Sequence, residues 1–230
     1  MNEINRKQIC KFVVGSRLHN LHKETSDYDY RGIHITDLKS ILSPFKNNKN
    51  TVWIEGDEDN TSFELLDFCK TATKGNPTIL EILYSNMSVL DPETKEGLEL
   101  RQNRHKFLDS TAIFNAARGY ASNQYNKMNL FTPDQRTPKF AVAYIRTLVQ
   151  TVGLLKTGEL PCKLEGELRD YLYEVKYTSY QEFEPLIPKL TEMFLVYQNE
   201  LTKSYQENKD KFTPDYEWIE NFIYESYKSY

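Results

Sequence analysis

Along the first ninety residues short apolar runs alternate with polar turns. Beyond about Pro92 the apolar positions recur at helical spacing. Residues 3–9 predict a short helical lead-in, and the mostly apolar run Cys10–Val14 predicts a strand that ends in Gly15-Ser16. Arg17–Thr25 predicts a short helix, with Leu18 and Leu21 at i, i+3. Ser26–Ile35 alternates strictly, which predicts a second strand with Asp27, Asp29 and Arg31 on one face and Tyr28 and Tyr30 on the other. "LKSILSPF" and "NNKN" read as loop and turn, "NTVWIEG" as a third extended piece, and Asp59–Ser62 as a short strand. Ser62 is the expected N-cap of a helix carrying Phe63, Leu66 and Phe68, closed by Gly75. Asn76-Pro77 opens another helix, striped by Ile79, Leu80 and Leu83, and "NMSVLD" reads as a last strand.

Helical periodicity then dominates, over segments 106–128, 137–159, 164–176, 180–208 and 214–230, separated by Pro, Gly and Thr breaks. A mixed α/β piece over residues 1–91 is therefore expected to precede a helical piece over 92–230. No internal repeat or low-complexity tail interrupts them.

Composition narrows the class. A hydrophobic fraction of 39% and an aromatic fraction of 13% over 230 residues can build a sizeable core. The net charge of −4 gives no overall basic field for nucleic acid, though it leaves room for a local basic groove. The three cysteines are widely spaced and form no CxxC pair, which argues against a disulfide framework or zinc site and for a reducing compartment. The first thirty residues carry charges throughout, and no apolar run reaches membrane-spanning length. A soluble cytoplasmic protein with no membrane partner is expected. The oligomeric state is not legible.

The candidate chemistry lies at the first strand's end. A strand running into Gly15-Ser16 and then a helix presents backbone N–H groups suited to an anion, and the Ser16 hydroxyl adds a donor. Asp27 and Asp29, two residues apart on a neighbouring strand, put two like charges on one face and supply hard oxygen ligands for Mg²⁺ or Mn²⁺. Each element alone reads as an ordinary turn or solvated strand face. Together, phosphate and divalent cation side by side describe a nucleoside triphosphate site.

"GSRLHNLHKETSDYDYRG" resembles the signature of the DNA polymerase beta-like nucleotidyltransferase superfamily, in which a Gly-Ser turn precedes Asp-x-Asp on the next strand. It is similar in particular to a branch of predicted nucleotidyltransferases that includes RNA-ligase-associated members. "KGNPTILEILYS", "KFAVAYIRTLVQTVGLLKTGEL" and "FTPDYEWIENFI" extend the likeness over most of the chain. The branch carries a His in the "KFAVAYIR" helix at the position of Ala143, so that group is absent here.

The resemblance implies an α+β fold: a small mixed-sheet nucleotidyltransferase core with flanking helices, then a C-terminal helical domain closing the nucleotide cleft. It implies attack of an acceptor hydroxyl on the α-phosphorus of an NTP with release of pyrophosphate. The acceptor could be an RNA end, as in RNA repair, a protein or a small molecule. The alternative is a catalytically inactive nucleotide-binding or regulatory protein on the same fold. Asp27 and Asp29 would hold the metals and Gly15, Ser16 and Arg17 the phosphates. A third carboxylate, acting as metal ligand or general base, is implied too; Asp59 ranks ahead of Glu64, and Asp57 and Glu58 read as solvated loop charges. Arg31 is either a phosphate ligand or an ion-pair partner of the strand aspartates. Lys139 and Arg146, seven residues apart on one helix face, are candidate grips for β- and γ-phosphates. His19 and His22 read as helix surface, since Mg²⁺ prefers oxygen.

Overall fold

The computed structural model describes residues 5–45, 52–55, 58–90, 93–130, 134 and 136–230, with only the backbone at 52–55, 58–60 and 130. Four strands, β1 (Arg6–Val14), β2 (Asp29–Thr36), β3 (Val52–Glu55) and β4 (Glu58–Glu64), form one sheet in the order β1-β2-β4-β3. β1 and β2 run antiparallel, with Val14 opposite Asp29; β2 and β4 run parallel, with Tyr30 beside Asn60; β3 returns antiparallel to β4. The sheet is therefore mixed.

The helices are α1 (Gly15–Leu18), α2 (Leu38–Ile41), α3 (Leu65–Ala72), α4 (Pro77–Tyr84), α5 (Lys95–Gln102), α6 (Ser110–Leu130), α7 (Thr137–Thr157), α8 (Gly166–Tyr177), α9 (Ile187–Asn208) and α10 (Tyr216–Lys228). The architecture is α+β with a helical C-terminal region, as the sequence implied. Asn76 caps α4 as expected: its Oδ1 accepts from Thr78 N at 3.0 Å and Ile79 N at 3.3 Å, and Pro77 fills the first helical position.

Several local expectations are corrected. The helix expected over Arg17–Thr25 is the single turn Gly15–Leu18; the strand expected from Ser26 starts at Asp29, so Asp27 precedes it; and Leu38–Ile41, read as loop, is α2, capped by Asp37. The helical lead-in is strand from Arg6 onward, because Arg6 and Lys7 pair with Thr36 and Ile35 of β2, a long-range ladder that local propensity does not show. Ser62 does not cap α3. It stays in β4, where its Oγ accepts from Gln8 Nε2 at 3.1 Å and lies 2.8 Å from His34 Nδ1. Glu64 is the cap instead, accepting from Leu66 N at 2.9 Å. "NMSVLD" contributes only an isolated bridge, Phe12 to Ser88, supported by Val13 N→Met87 O and Val89 N→Lys11 O.

The expected boundary between residues 91 and 92 lies outside the described residues. Beyond it, α5 lies directly against β1: Thr94 Oγ1 donates to Ile9 O at 2.9 Å, and a Cβ on Gly97 would stand 2.4 Å from that carbonyl. In the helical region α6, α7 and α9 pack around Tyr125, Tyr144 and Phe194, whose rings stack and cross at 4.1–5.6 Å. α10 returns to the sheet, where Tyr227 donates its hydroxyl to Glu64 Oε1. One buried apolar cluster runs from Ile9 to Tyr227. Among the described residues no helix is long and apolar enough to cross a membrane.

The Tyr227–Glu64 bond ties α10 to the start of α3 and makes a prediction. Tyr227→Phe removes one hydrogen bond to a carboxylate, so urea unfolding should show a loss of about 1.5–3 kcal/mol. An unchanged midpoint would mean that apolar packing alone seats α10.

Candidate active site

β1 runs straight into the turn at Gly15, and that residue must be glycine for two reasons. Its φ is +65°, a left-handed conformation, and a Cβ there would stand 2.2 Å from Oδ2 of Asp29. The carboxylate of Asp29 thus lies against the backbone of the turn. α1 is a single turn, closed by His19 N→Gly15 O at 3.2 Å and Leu21 N→Ser16 O at 2.8 Å. Asn20 follows at φ +61°, a conformation that Asn tolerates better than most side chains.

Arg17 faces the loop before β2. Its guanidinium donates to the carbonyls of Ser26 (2.6 Å), Glu24 (3.3 Å) and Asp27 (3.3 Å) and lies 3.7 Å over the Tyr28 ring. It holds the backbone that carries Asp27 in place. Asp27 is exposed just before β2, and Asp29 is half-buried at the strand's first position. Tyr28 and Tyr30 stack on each other at 6.1 Å, the alternation read from the sequence.

The other acidic candidates separate by register. Extending the β2–β4 ladder one step beyond Tyr30–Asn60 brings the backbone of Asp59 beside Asp29; its side chain lies outside the described residues, as does the whole of Asp57. Glu64 pairs with His34, five positions further along β2 and so roughly 16 Å from Asp29. There it is buried and engaged by Leu66 N and the Tyr227 hydroxyl. Arg31 is half-buried between Phe12 and Thr61, with Nη1 donating to Tyr30 O at 2.8 Å.

An open cleft of ≈ 180 Å³ lies beside the Gly15 turn. Gly15 and Ser16 form one wall, and Lys139, Ala143, Arg146 and Lys176 belong to the other. The structure therefore brings Gly15, Ser16, Lys139 and Arg146 together across more than 120 residues of chain. Arg17, Arg31 and Glu64 are placed elsewhere.

Four contributors were missed by the sequence reading. Lys176, at the end of α8, lines the cleft and donates to Leu21 O at 2.8 Å; burial holds its pKa below the usual lysine range, the nearby charge of Lys139 adds to this, and Tyr177 and Asp29 pull the other way. Glu81 of α4 accepts from Arg146 Nη1, and its other oxygen lies 3.3 Å from His19 Nε2. Gln150 takes a second bond from Arg146 Nη1 at 2.9 Å and donates to Cys162 O at 2.7 Å. His19 is not helix surface: it is 3% exposed, with Nδ1 2.8 Å from the same Cys162 carbonyl, because residues 160–164 fold over it. The available signal for Glu81 was a carboxylate embedded in the apolar run "ILEIL".

Burial by itself would raise the Glu81 pKa, but Arg146 and His19 outweigh it and bring the group down to about 2. His19 is pushed below its ordinary value by burial and then by Arg146, against the upward pull of Glu81. Among the described residues no group of three or more His, Cys, Asp or Glu side chains is arranged to hold a metal. Two carboxylates remain, and Mg²⁺ characteristically uses one or two carboxylates and completes its shell with substrate phosphate and water. Asp27 and Asp29 fit that donor set.

The model of the RNA repair pathway DNA polymerase beta family matches residues 2–223. No curated protein matches the chain.

Two outcomes follow from this geometry. Gly15→Ala should lose about 1–2 kcal/mol from the left-handed backbone alone, read by thermal unfolding, with more from displacing Asp29. Parent-like stability would show that the turn relaxes away from Asp29. Acid should weaken the fold in two stages. His19 has a lowered folded pKa, so stability falls once the pH drops below its unfolded value of 6.5. The stabilisation from Glu81 is complete above 4.5 and is lost as the pH falls toward 2. Urea titrations across pH should show both stages in the parent and a smaller lower one in Glu81→Gln, where the lowered carboxyls of Glu96, Asp134 and Asp215 still contribute.

Proposed function

The chain belongs to the RNA repair pathway DNA polymerase beta family, and on that premise we propose that it transfers a nucleoside monophosphate from an NTP to the hydroxyl of an RNA end, releasing pyrophosphate. The observation that carries this reading is the Asp29 carboxylate packed on the Gly15 turn, which lines a cleft shared with Lys139, Arg146 and Lys176. An RNA end is the acceptor that suits the family, and a strand terminus needs only a few contacts, compatible with a net charge of −4.

In this reading Ser16 and the backbone N–H groups of the turn donate to phosphate oxygens. Lys139, Arg146 and Lys176 neutralise the triphosphate, Arg146 by hydrogen bonds in a fixed fork and the lysines as point charges. Asp27 and Asp29 would hold the Mg²⁺ or Mn²⁺. The cation supplies charge that makes phosphorus more electrophilic and the acceptor hydroxyl more acidic. Asp59, brought beside Asp29 by the register, is the third carboxylate and accepts the hydroxyl proton or completes the ligand set. Arg17 contributes indirectly, by fixing the loop that carries Asp27.

The test incubates the chain with each α-labelled NTP, Mg²⁺ or Mn²⁺ and RNA with free ends. Label should appear on RNA, and Asp27→Asn with Asp29→Asn should abolish it. Label on the protein itself would reassign the acceptor. NTP binding without any transfer would leave a nucleotide-binding protein, and full turnover in the double variant would overturn the metal assignment. Lys176→Ala should raise the KM for NTP by about tenfold, the equivalent of one charge-assisted contact. A KM equal to the parent's would remove Lys176 from the triphosphate site.

A further inference from the structure

Glu81 is a charged group in a place that disfavours charge. It sits in α4 between Leu80 and Ile82, both buried, and its side chain is only 14% exposed. Its two oxygens are divided between the two walls of the cleft. One accepts from Arg146 Nη1 on α7; the other lies 3.3 Å from His19 Nε2, three residues beyond Ser16. A buried ion pair of this kind adds little net stability compared with apolar packing, whereas it does impose a fixed geometry.

The arrangement around Arg146 shows which geometry is imposed. Among the described residues the acceptors bonded to Arg146 are Glu81 and Gln150, and both take Nη1. Gln150 is itself fixed, because its amide nitrogen donates to Cys162 O and to Pro161 O at 3.0 Å. The guanidinium is thus held by one corner, at Nη1, in the wall of the cleft. Among the described residues no protein acceptor is bonded to its Nε or Nη2, and Arg146 lines the cleft with its side chain 10% exposed, which suits that edge to a bidentate contact with phosphate oxygens.

We propose that Glu81 is a positioning residue for the triphosphate: it aims the Arg146 guanidinium into the cleft and locks that aim to the Gly15-Ser16 turn through His19. The proposal rests on the nucleotidyltransferase reading above and deepens it. Glu81 does not touch the nucleotide. Its effect passes through Arg146, so removing its charge matters only while Arg146 is present. A purely structural Glu81 would matter equally in either background.

The experiment is a double-mutant cycle on the full chain, with Kd for ATP, GTP, CTP and UTP in Mg²⁺ measured by titration calorimetry. Glu81→Gln keeps the shape and should weaken binding of the preferred triphosphate by about tenfold, the scale of one charge-assisted hydrogen bond. In an Arg146→Gln background the same change should alter Kd by less than about twofold if the coupling is complete. Equal losses in both backgrounds would overturn the proposal. So would tighter binding by Glu81→Gln, which would mean that Glu81 competes with phosphate for the arginine. If Glu81→Gln does not fold, Glu81→Asp runs the same cycle: its shorter reach should weaken binding in the parent and not beside Arg146→Gln, with the same overturning results. A parent chain that binds none of the four triphosphates would overturn the nucleotidyltransferase reading itself, and this inference with it.

Discussion

An oxygen of the Asp29 carboxylate occupies the space that any side chain at position 15 would need. Much else at the cleft is arranged around that contact. It requires a left-handed glycine at the end of β1, the antiparallel register that sets Val14 opposite Asp29, and a loop between them short enough for Arg17 to clamp by three carbonyls. The carboxylate and the Gly15-Ser16 turn are therefore one rigid unit rather than two loops that happen to meet. Preorganisation of this kind is what an electrostatically demanding reaction needs, since charges held in place before substrate arrives do not have to be reordered during it.

The opposite wall obeys a different constraint. Its cations come from α7 and α8, elements with no strand pairing to the sheet, so their placement relies on buried polar links. Lys176 and Tyr177 both donate to Leu21 O, and Leu164 N donates to His19 O. These bonds fasten the helical region to the few residues that follow the Gly15 turn. The same carbonyl-rich stretch thus closes the turn and anchors α8.

What was legible in the sequence had local causes. The Gly-Ser turn and the Asn76-Pro77 start each follow from backbone preferences acting within a few residues. What was not legible depended on partners far along the chain. Residues 6–9 became strand because β2 was there to pair with them, and Glu64 became a cap because β4 continued under the influence of the same neighbour. His19 has a polar sequence context and is buried only because residues beyond Leu160 cover it. Lys176 looks like any basic residue in the last turn of a helix. Glu81 was visible as an anomaly inside an apolar stripe, but the identity of its partner, 65 residues later, was not.

The link between Glu64 and Tyr227 also bears on how the chain is made. The two residues are 163 positions apart, and the carboxylate at the N-terminus of α3 meets its hydroxyl partner only when α10 has been synthesised. At 5–20 residues per second a ribosome needs roughly 8–33 s to cover that interval. For that time all four strands have been made while the start of α3 lacks the helix that packs beside it and Glu64 lacks its hydroxyl partner. A nascent chain stalled before residue 216 would hold all four strands but lack the helix that packs beside the start of α3, leaving an open apolar flank of the kind that chaperones hold and proteases sample.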